Sequence, residues 1–282
     1  MKIQFYTPAA GVKDTFGCAS FGFAGNDDPN AETVVSLPTE LNGDLICGSY
    51  ADCLAQIPNK DYQAAIVLLG NAGGENAFIH ALQQKLSVPI VGGGAAIHPV
   101  TGEAGLITGR GEAAVFLICD DRYCFEACCE NIHHDVLGEH SISFTDPRQL
   151  DTIDGIDAAT WLAAKKAELG LSENDFEHLT FSDLNGINAH LSMVDGKIRS
   201  GRDLTEKMLL RYVSAADVYD RMQAFYDDEN AVVFGCAGLK GILPKPVDGK
   251  SVGLFLFGEV CTKDGVSEFG NLMLSKLRIL TK

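Results

Sequence analysis

The chain has 282 residues, 46% of them hydrophobic, with 22 basic against 38 acidic side chains and a formal net charge of −16. That is enough apolar material for one large domain or two halves of ordinary size, and it argues against a disordered chain. The acidic balance argues against nucleic acid as a partner, because such affinity comes from Lys and Arg replacing counterions, and no local basic run offsets it.

Met1-Lys2-Ile3-Gln4-Phe5-Tyr6 leads straight into an expected strand without an apolar signal core, and no stretch reaches the roughly 18 uninterrupted apolar residues of a spanning helix. The expectation is a cytoplasmic protein with no membrane partner. Nine scattered cysteines are an odd number in a long chain and fit reduced thiols better than a disulfide framework.

Ser49 can cap a helix over 50–57. Ala64–Leu69 has the composition of a buried strand. Glu75–Leu86 carries Phe78, Leu82 and Leu86 at helical spacing, and 88–91 is a second buried strand. Gly92-Gly93-Gly94-Ala95-Ala96 lacks the lysine of a phosphate loop, so a loop shaped by close packing or by ligand approach is expected there. Ala113–Ile118 is a third buried strand.

The segment 119–140 gathers Cys119, Cys124, Cys128, Cys129, His133, His134 and His140. It has no CxxC, and a single helix cannot converge a tetrahedral set, so no metal is expected. Asp146-Pro147 marks a boundary within 141–150. Asp157 can cap a helix over 158–169, with Gly170 following. Asp195-Gly196 has the composition of a two-residue hairpin turn between 190–194 and 197–199. Ser214 and Asp217 open a helix with Val218, Met222 and Phe225 on one face. Buried strands follow at 231–234 and 252–257. Apolar alternation near 204–213 and 272–280 adds antiparallel strands.

A shift of 166 positions lays Ala65-Ile66-Val67-Leu68-Leu69-Gly70 on Ala231-Val232-Val233-Phe234-Gly235-Cys236, and Val88-Pro89-Ile90-Val91-Gly92 on Leu254-Phe255-Leu256-Phe257-Gly258. The expected fold is therefore α/β with two related, duplicated halves, 1–145 and 146–282, built of mixed sheets with helices packed outside. Gly92 should then correspond to Gly258, and Gly70 to Cys236.

Four motifs occur in order. They are Ile153-Asp154-Gly155-Ile156-Asp157-Ala158 before a helix, Cys236-Ala237-Gly238 after a strand, Phe257-Gly258-Glu259 at an expected strand end, and Glu268-Phe269-Gly270-Asn271 before the last strand. Together with Val88-Pro89-Ile90-Val91-Gly92-Gly93-Gly94, they resemble the FIST family of sensory domains over about residues 60–282. Leu239 stands where that family carries arginine, and Gly270 where it carries histidine. The resemblance implies an N-terminal FIST-like half (1–145), a C-terminal one (146–282) and a signal-transduction role. It also implies a small-molecule ligand such as an amino acid and a signalling partner protein, with no cofactor.

Eight residues are candidates for the ligand site: Gly92, Gly93, Cys236, Ala237, Gly238, Gly258, Glu259 and Asn271. Small residues around Cys236 let a ligand approach the backbone, although a cysteine packing a tight turn has the same signature. Glu259 can accept a ligand ammonium group or can be a solvated residue at a sheet rim. Three functions follow: small-ligand sensing; an enzyme with Cys236 as nucleophile, assisted by Glu259 or Lys240; and an interaction scaffold without a ligand.

Overall fold

The computed structural model describes residues 3–6, 20, 23–24, 32–37, 39–70, 73–96 and 111–282. In chain order, β1 (Gln4–Tyr6) and β2 (Val34–Ser36) pair antiparallel as a small ribbon. Then come β3 (Gly43–Gly48), α1 (Tyr50–Ala55), β4 (Ala64–Leu69), α2 (Glu75–Leu86), β5 (Ile90–Gly94) and β6 (Ala113–Ile118). These strands lie side by side in the order β3-β6-β4-β5, with β4 and β5 parallel.

The middle of the chain supplies β7 (Tyr123–Glu130), β8 (Asp135–Ser143), β9 (Gln149–Leu150), β10 (Thr152–Ile153), β11 (Ile156–Asp157) and α3 (Ala158–Glu168). It continues through β12 (Leu179–Ser182), β13 (Asn188–Ala189), β14 (Leu191–Val194), β15 (Lys197–Ser200) and β16 (Lys207–Tyr212). Two smaller sheets result, ordered β11-β10-β8-β16-β12-β13 and β14-β15-β9. The last part holds α4 (Ala215–Tyr226), β17 (Ala231–Cys236), a short 3-10 helix (Ala237–Ile242), β18 (Val252–Lys263), β19 (Val266–Gly270) and β20 (Leu274–Thr281).

Cap chemistry sets the helix starts as read from sequence. The side chains of Ser49, Asp157 and Ser214 accept hydrogen bonds from the backbone N–H groups of Asp52, Thr160 and Asp217. Asp195 and Gly196, with φ of 51° and 74°, close the β14–β15 hairpin at the Val194–Lys197 pair.

The large sheet is buried on both faces, which is why its central strands are apolar runs without alternation. Ala64, Ile66 and Leu68 of β4 face one core, which extends across β17 and β18 through Val232, Phe234, Leu254 and Leu256 and is sealed by Ile3 and Phe5. Ala65, Val67 and Leu69 face the opposite core, under Phe78, Ile79 and Leu82 of α2. In the second half Ala231 and Val233 pack beneath Val218, Met222 and Phe225 of α4. A separate core under α3 holds the smaller sheets together through Leu162, Phe181, Ile198 and Leu210.

The large sheet reads β3-β6-β4-β5 from one edge and β7-β20-β17-β18 from the other, with matching parallel and antiparallel pairings, and β5 meets β18 antiparallel in the middle. The 166-residue shift carries Val67 onto Val233 but does not hold through the next strand. Val67 lies opposite Gly92, whereas Val233 lies opposite Gly253, because the connection from β17 to β18 is shorter than that from β4 to β5. Gly258 falls beyond the β17 pairing altogether. Tyr123–Glu130, which precedes the expected boundary near 145, is the outer strand of the second half-sheet.

Three local readings are corrected. Gly92–Gly94 is strand and not loop: a Cβ on Gly92, whose φ is 138°, would overlap the Val67 carbonyl, so the glycines permit close strand packing. The small-residue loop expected after Cys236 is a 3-10 helix. Finally, β18 does not end at Glu259 but runs on to Lys263. Among the described residues no helix is long and apolar enough to cross a membrane.

Candidate functional site

The continuation of β18 past Glu259 depends on a bulge. The register with β5 shifts between Phe257 and Glu259, and Gly258 at that point has φ of 78°. In an unbroken strand residues 257 and 259 would share a face. The extra residue reverses this: Phe257 is 43% exposed, whereas Glu259 is 0% exposed. The solvated-rim reading of Glu259 is therefore overturned.

Inside, Glu259 Oε2 accepts the Met273 backbone N–H at 3.2 Å, and Oε1 has no hydrogen-bond partner of regular geometry among the described residues. Burial raises its carboxyl well above the usual carboxylate range. The Met273 amide pulls the other way, a charge on Cys129 would add to the rise, and the facing Cys236 thiol opposes it least. Burial thus favours the protonated form of Glu259.

Cys236 ends β17, is buried, and packs with Val233, Leu239 and Leu272. Burial, reinforced by the charge of Glu259, pushes its thiol up to about 12, even though backbone N–H groups of Leu272, Gly238 and Gly258 point at the sulfur. A thiolate is strongly disfavoured there, so the thiol is no ready nucleophile. Lys240 lies with Nζ 5.5 Å from the centroid of the Phe255 ring.

Asn271, in the turn between β19 and β20, completes the cluster. Its backbone N–H donates to the Asn188 carbonyl at 3.0 Å, and its Oδ1 accepts the His190 N–H at 3.4 Å. A Cβ on Gly258 would come within 2.8 Å of Asn271 Nδ2, and one on Gly201 would overlap Oδ1, so the amide sits in a cradle of two glycines. Gly238 is similarly hemmed in. A Cβ there would stand 2.8 Å from Leu272 Cδ2, 3.7 Å from Cys236 Sγ and 4.0 Å from Glu177 Cγ. Ala237 is half-buried against the same core.

The fold brings Cys236, Ala237, Gly238, Gly258, Glu259 and Asn271 together. It places Gly93 beside them in the neighbouring strand, paired with Glu259, with Gly92 one position further along, paired with Val260. Sequence reasoning missed the second half of the neighbourhood, Glu177, just before β12, and His190, between β13 and β14. Their side chains approach to 3.7 Å, and His190 holds the Glu177 carboxyl below its usual range. His133, weighed from sequence only within the 119–140 cluster, is wholly buried beside them: its Nε2 lies 2.6 Å from the Glu177 carbonyl, and burial lowers its pKa to about 4. No spacing in the chain links these residues, so only the tertiary fold could have shown them.

The other residues of the 119–140 cluster disperse. Cys124, Cys128 and Cys129 lie on β7, and His140 on β8 hydrogen-bonds Asp154 at 2.7 Å and meets the Trp161 ring edge-on. Among the described residues no three metal-ligating side chains converge. Nor is any of the described cavities lined by Cys236 or Glu259. The one of about 320 Å³ lies instead beside Asn185, Ile187, Lys263 and Glu268.

No protein-family model matches the chain, and no curated protein matches it either.

Proposed function

We propose that this chain is a cytoplasmic sensory module of the FIST type, built from duplicated halves, which binds a small ligand carrying an ammonium group at the Cys236–Glu259–Asn271 cluster. The observation that carries the reading is Glu259: a wholly buried carboxyl with one oxygen lacking a regular hydrogen bond, delivered inward by a dedicated glycine bulge. Such a group is costly to keep, and a bulge that costs stability is retained where its side chain has a task. An ammonium group would supply the missing partner. The mirrored strand order of the large sheet supports the duplication.

Access requires a local opening, and the 3-10 helix Ala237–Ile242 is the least costly element to displace, because its hydrogen bonds are poorer than those of an α-helix. Burial raises the free Glu259 carboxyl, and pairing with an ammonium ion lowers it again, so binding releases protons wherever free Glu259 is protonated. Affinity therefore rises with pH. The high thiol pKa of Cys236 favours this reading over a cysteine enzyme.

A thermal-shift screen of amino acids and simple amines tests the proposal, followed by calorimetry of any hit in buffers of different ionisation enthalpy. The expected result is a hit that releases a proton on binding and weakens in Glu259→Gln while surviving Cys236→Ser. A hit that binds Glu259→Gln unchanged, or a screen without an amine-bearing hit, would overturn it.

A further inference from the structure

The antiparallel pairing of β7 with β20 sets Cys129 opposite Ser275. Ser275 is buried, and its hydroxyl donates to the Val260 carbonyl at 2.7 Å, so β18 passes close by with Cys261 as its next residue. The Cys261 thiol lies 3.9 Å from the Leu274 carbonyl and packs with Ile187 and Met273, and the partly buried Cys129 side chain closes over this group. Among the described residues, Cys129 is the one partly buried side chain packed against the Ile187–Cys261–Met273 cluster. Although β7 and β18 are not ladder neighbours, their Cα atoms approach within 8 Å. A disulfide spans Cα separations of about 4.4–6.8 Å, the range to which the two strands must close at these positions.

We propose that Cys129 and Cys261 form an oxidisable pair, a modification site at which a hydroperoxide converts two thiols into a disulfide stapling β7 to β18. Cys129, on the outer strand and partly exposed, meets the oxidant first; Cys261, 0% exposed, resolves it. The Cys129 sulfur attacks one peroxide oxygen, the O–O bond breaks, and the sulfur becomes a sulfenic acid as the first water leaves. Burial holds the Cys261 sulfur as a thiol, so its attack on the strongly electrophilic sulfenyl sulfur is the slow step. The S–S bond forms, the S–O bond breaks, and the departing hydroxide takes the thiol proton as the second water. Two thiols are oxidised and one hydrogen peroxide is reduced to two waters. This chemistry stands apart from the ligand reading and needs no ligand.

The test uses the full chain carrying Cys124→Ser and Cys128→Ser, two exposed positions, so that the tryptic peptide 123–148 holds Cys129 as its one cysteine. Reduced protein is treated with stoichiometric hydrogen peroxide, free thiols are blocked, and the digest is mapped by mass spectrometry without reductant. Peptide 123–148 joined to peptide 251–263, a product lost on adding dithiothreitol, is the expected result. Adding Cys261→Ser should leave Cys129 as a sulfenic acid trapped by a dimedone probe. If that variant fails to fold, the crosslink map decides alone. An unchanged thiol count, a Cys129 sulfinic acid without crosslink, or a disulfide to any other cysteine would overturn the proposal.

Discussion

Two buried titratable groups act on stability with opposite sign. Glu259 has its pKa raised in the folded chain above its ordinary 4.5, so the folded state holds a proton that the unfolded state releases, and stability falls as pH rises above 4.5. His133 is depressed from 6.5 to about 4, so the unfolded state takes up a proton first, and stability falls as pH drops below 6.5. Each slope is about 1.4 kcal/mol per pH unit. Above 4.5 the two oppose each other, and above 6.5 the His133 contribution is gone. Glu259→Gln, which keeps His133, should therefore match the parent below about pH 4.5 and become progressively more stable than the parent above it, until Glu259 ionises in the folded chain. Urea unfolding at about pH 5 and about pH 8 checks this. Parallel pH dependences for the two proteins would show that Glu259 ionises normally.

Among the elements, those whose cause is local were legible. The caps at Ser49, Asp157 and Ser214 and the Asp195-Gly196 turn each depend on side chains within a few residues, and the apolar runs of β4, β6 and β17 follow from burial on both faces. The Cys236–Glu259 adjacency was also readable, since both follow apolar strands. What stayed hidden was the bulge at Gly258: a glycine before a polar residue looks the same whether a strand ends or kinks there. That ambiguity left Glu259 readable either as a solvated rim residue or as a buried acid.

Gly258 and Gly155 share φ of 78° but differ in surroundings. A Cβ on Gly155 meets nothing within 4 Å, whereas one on Gly258 lies 2.5 Å from Phe269 Cζ and 2.8 Å from the Gly270 carbonyl. Gly155→Ala should cost about 1–2 kcal/mol, for left-handed backbone alone. Gly258→Ala should add roughly 1–3 kcal/mol of overpacking to that. Equal midpoint shifts in denaturant titrations would mean that the bulge relaxes freely.

At the scale of the molecule, the smaller sheets are held to the large one by a buried ion cluster. Arg202, 6% exposed, donates to Asp183 at 3.0 Å, to the Ile187 carbonyl at 3.0 Å and to Glu268 of β19 at 3.1 Å. Arg202→Met strands two carboxylates in a poorly hydrated seam and should cost about 3–5 kcal/mol. The exposed Arg199–Asp146 pair, at 2.9 Å, provides the contrast, because Arg199→Met should cost under about 1 kcal/mol. Calorimetric melting of both variants makes the comparison, and similar losses would show that the cluster is screened by water.

The β5–β18 junction also has a consequence for how the chain is made. Gly93 pairs with Glu259, so β5 leaves the ribosome well over a hundred residues before its partner strand is synthesised. At ordinary translation rates that wait lasts roughly 10–30 seconds, during which β5 is an open edge to any passing strand. Gly92, Gly93 and Gly94 present no side chains along that edge, so a nascent chain has little apolar surface there to offer a neighbour. The same glycines that permit tight packing in the finished sheet thus keep the unfinished one from sticking to other chains on a crowded polysome.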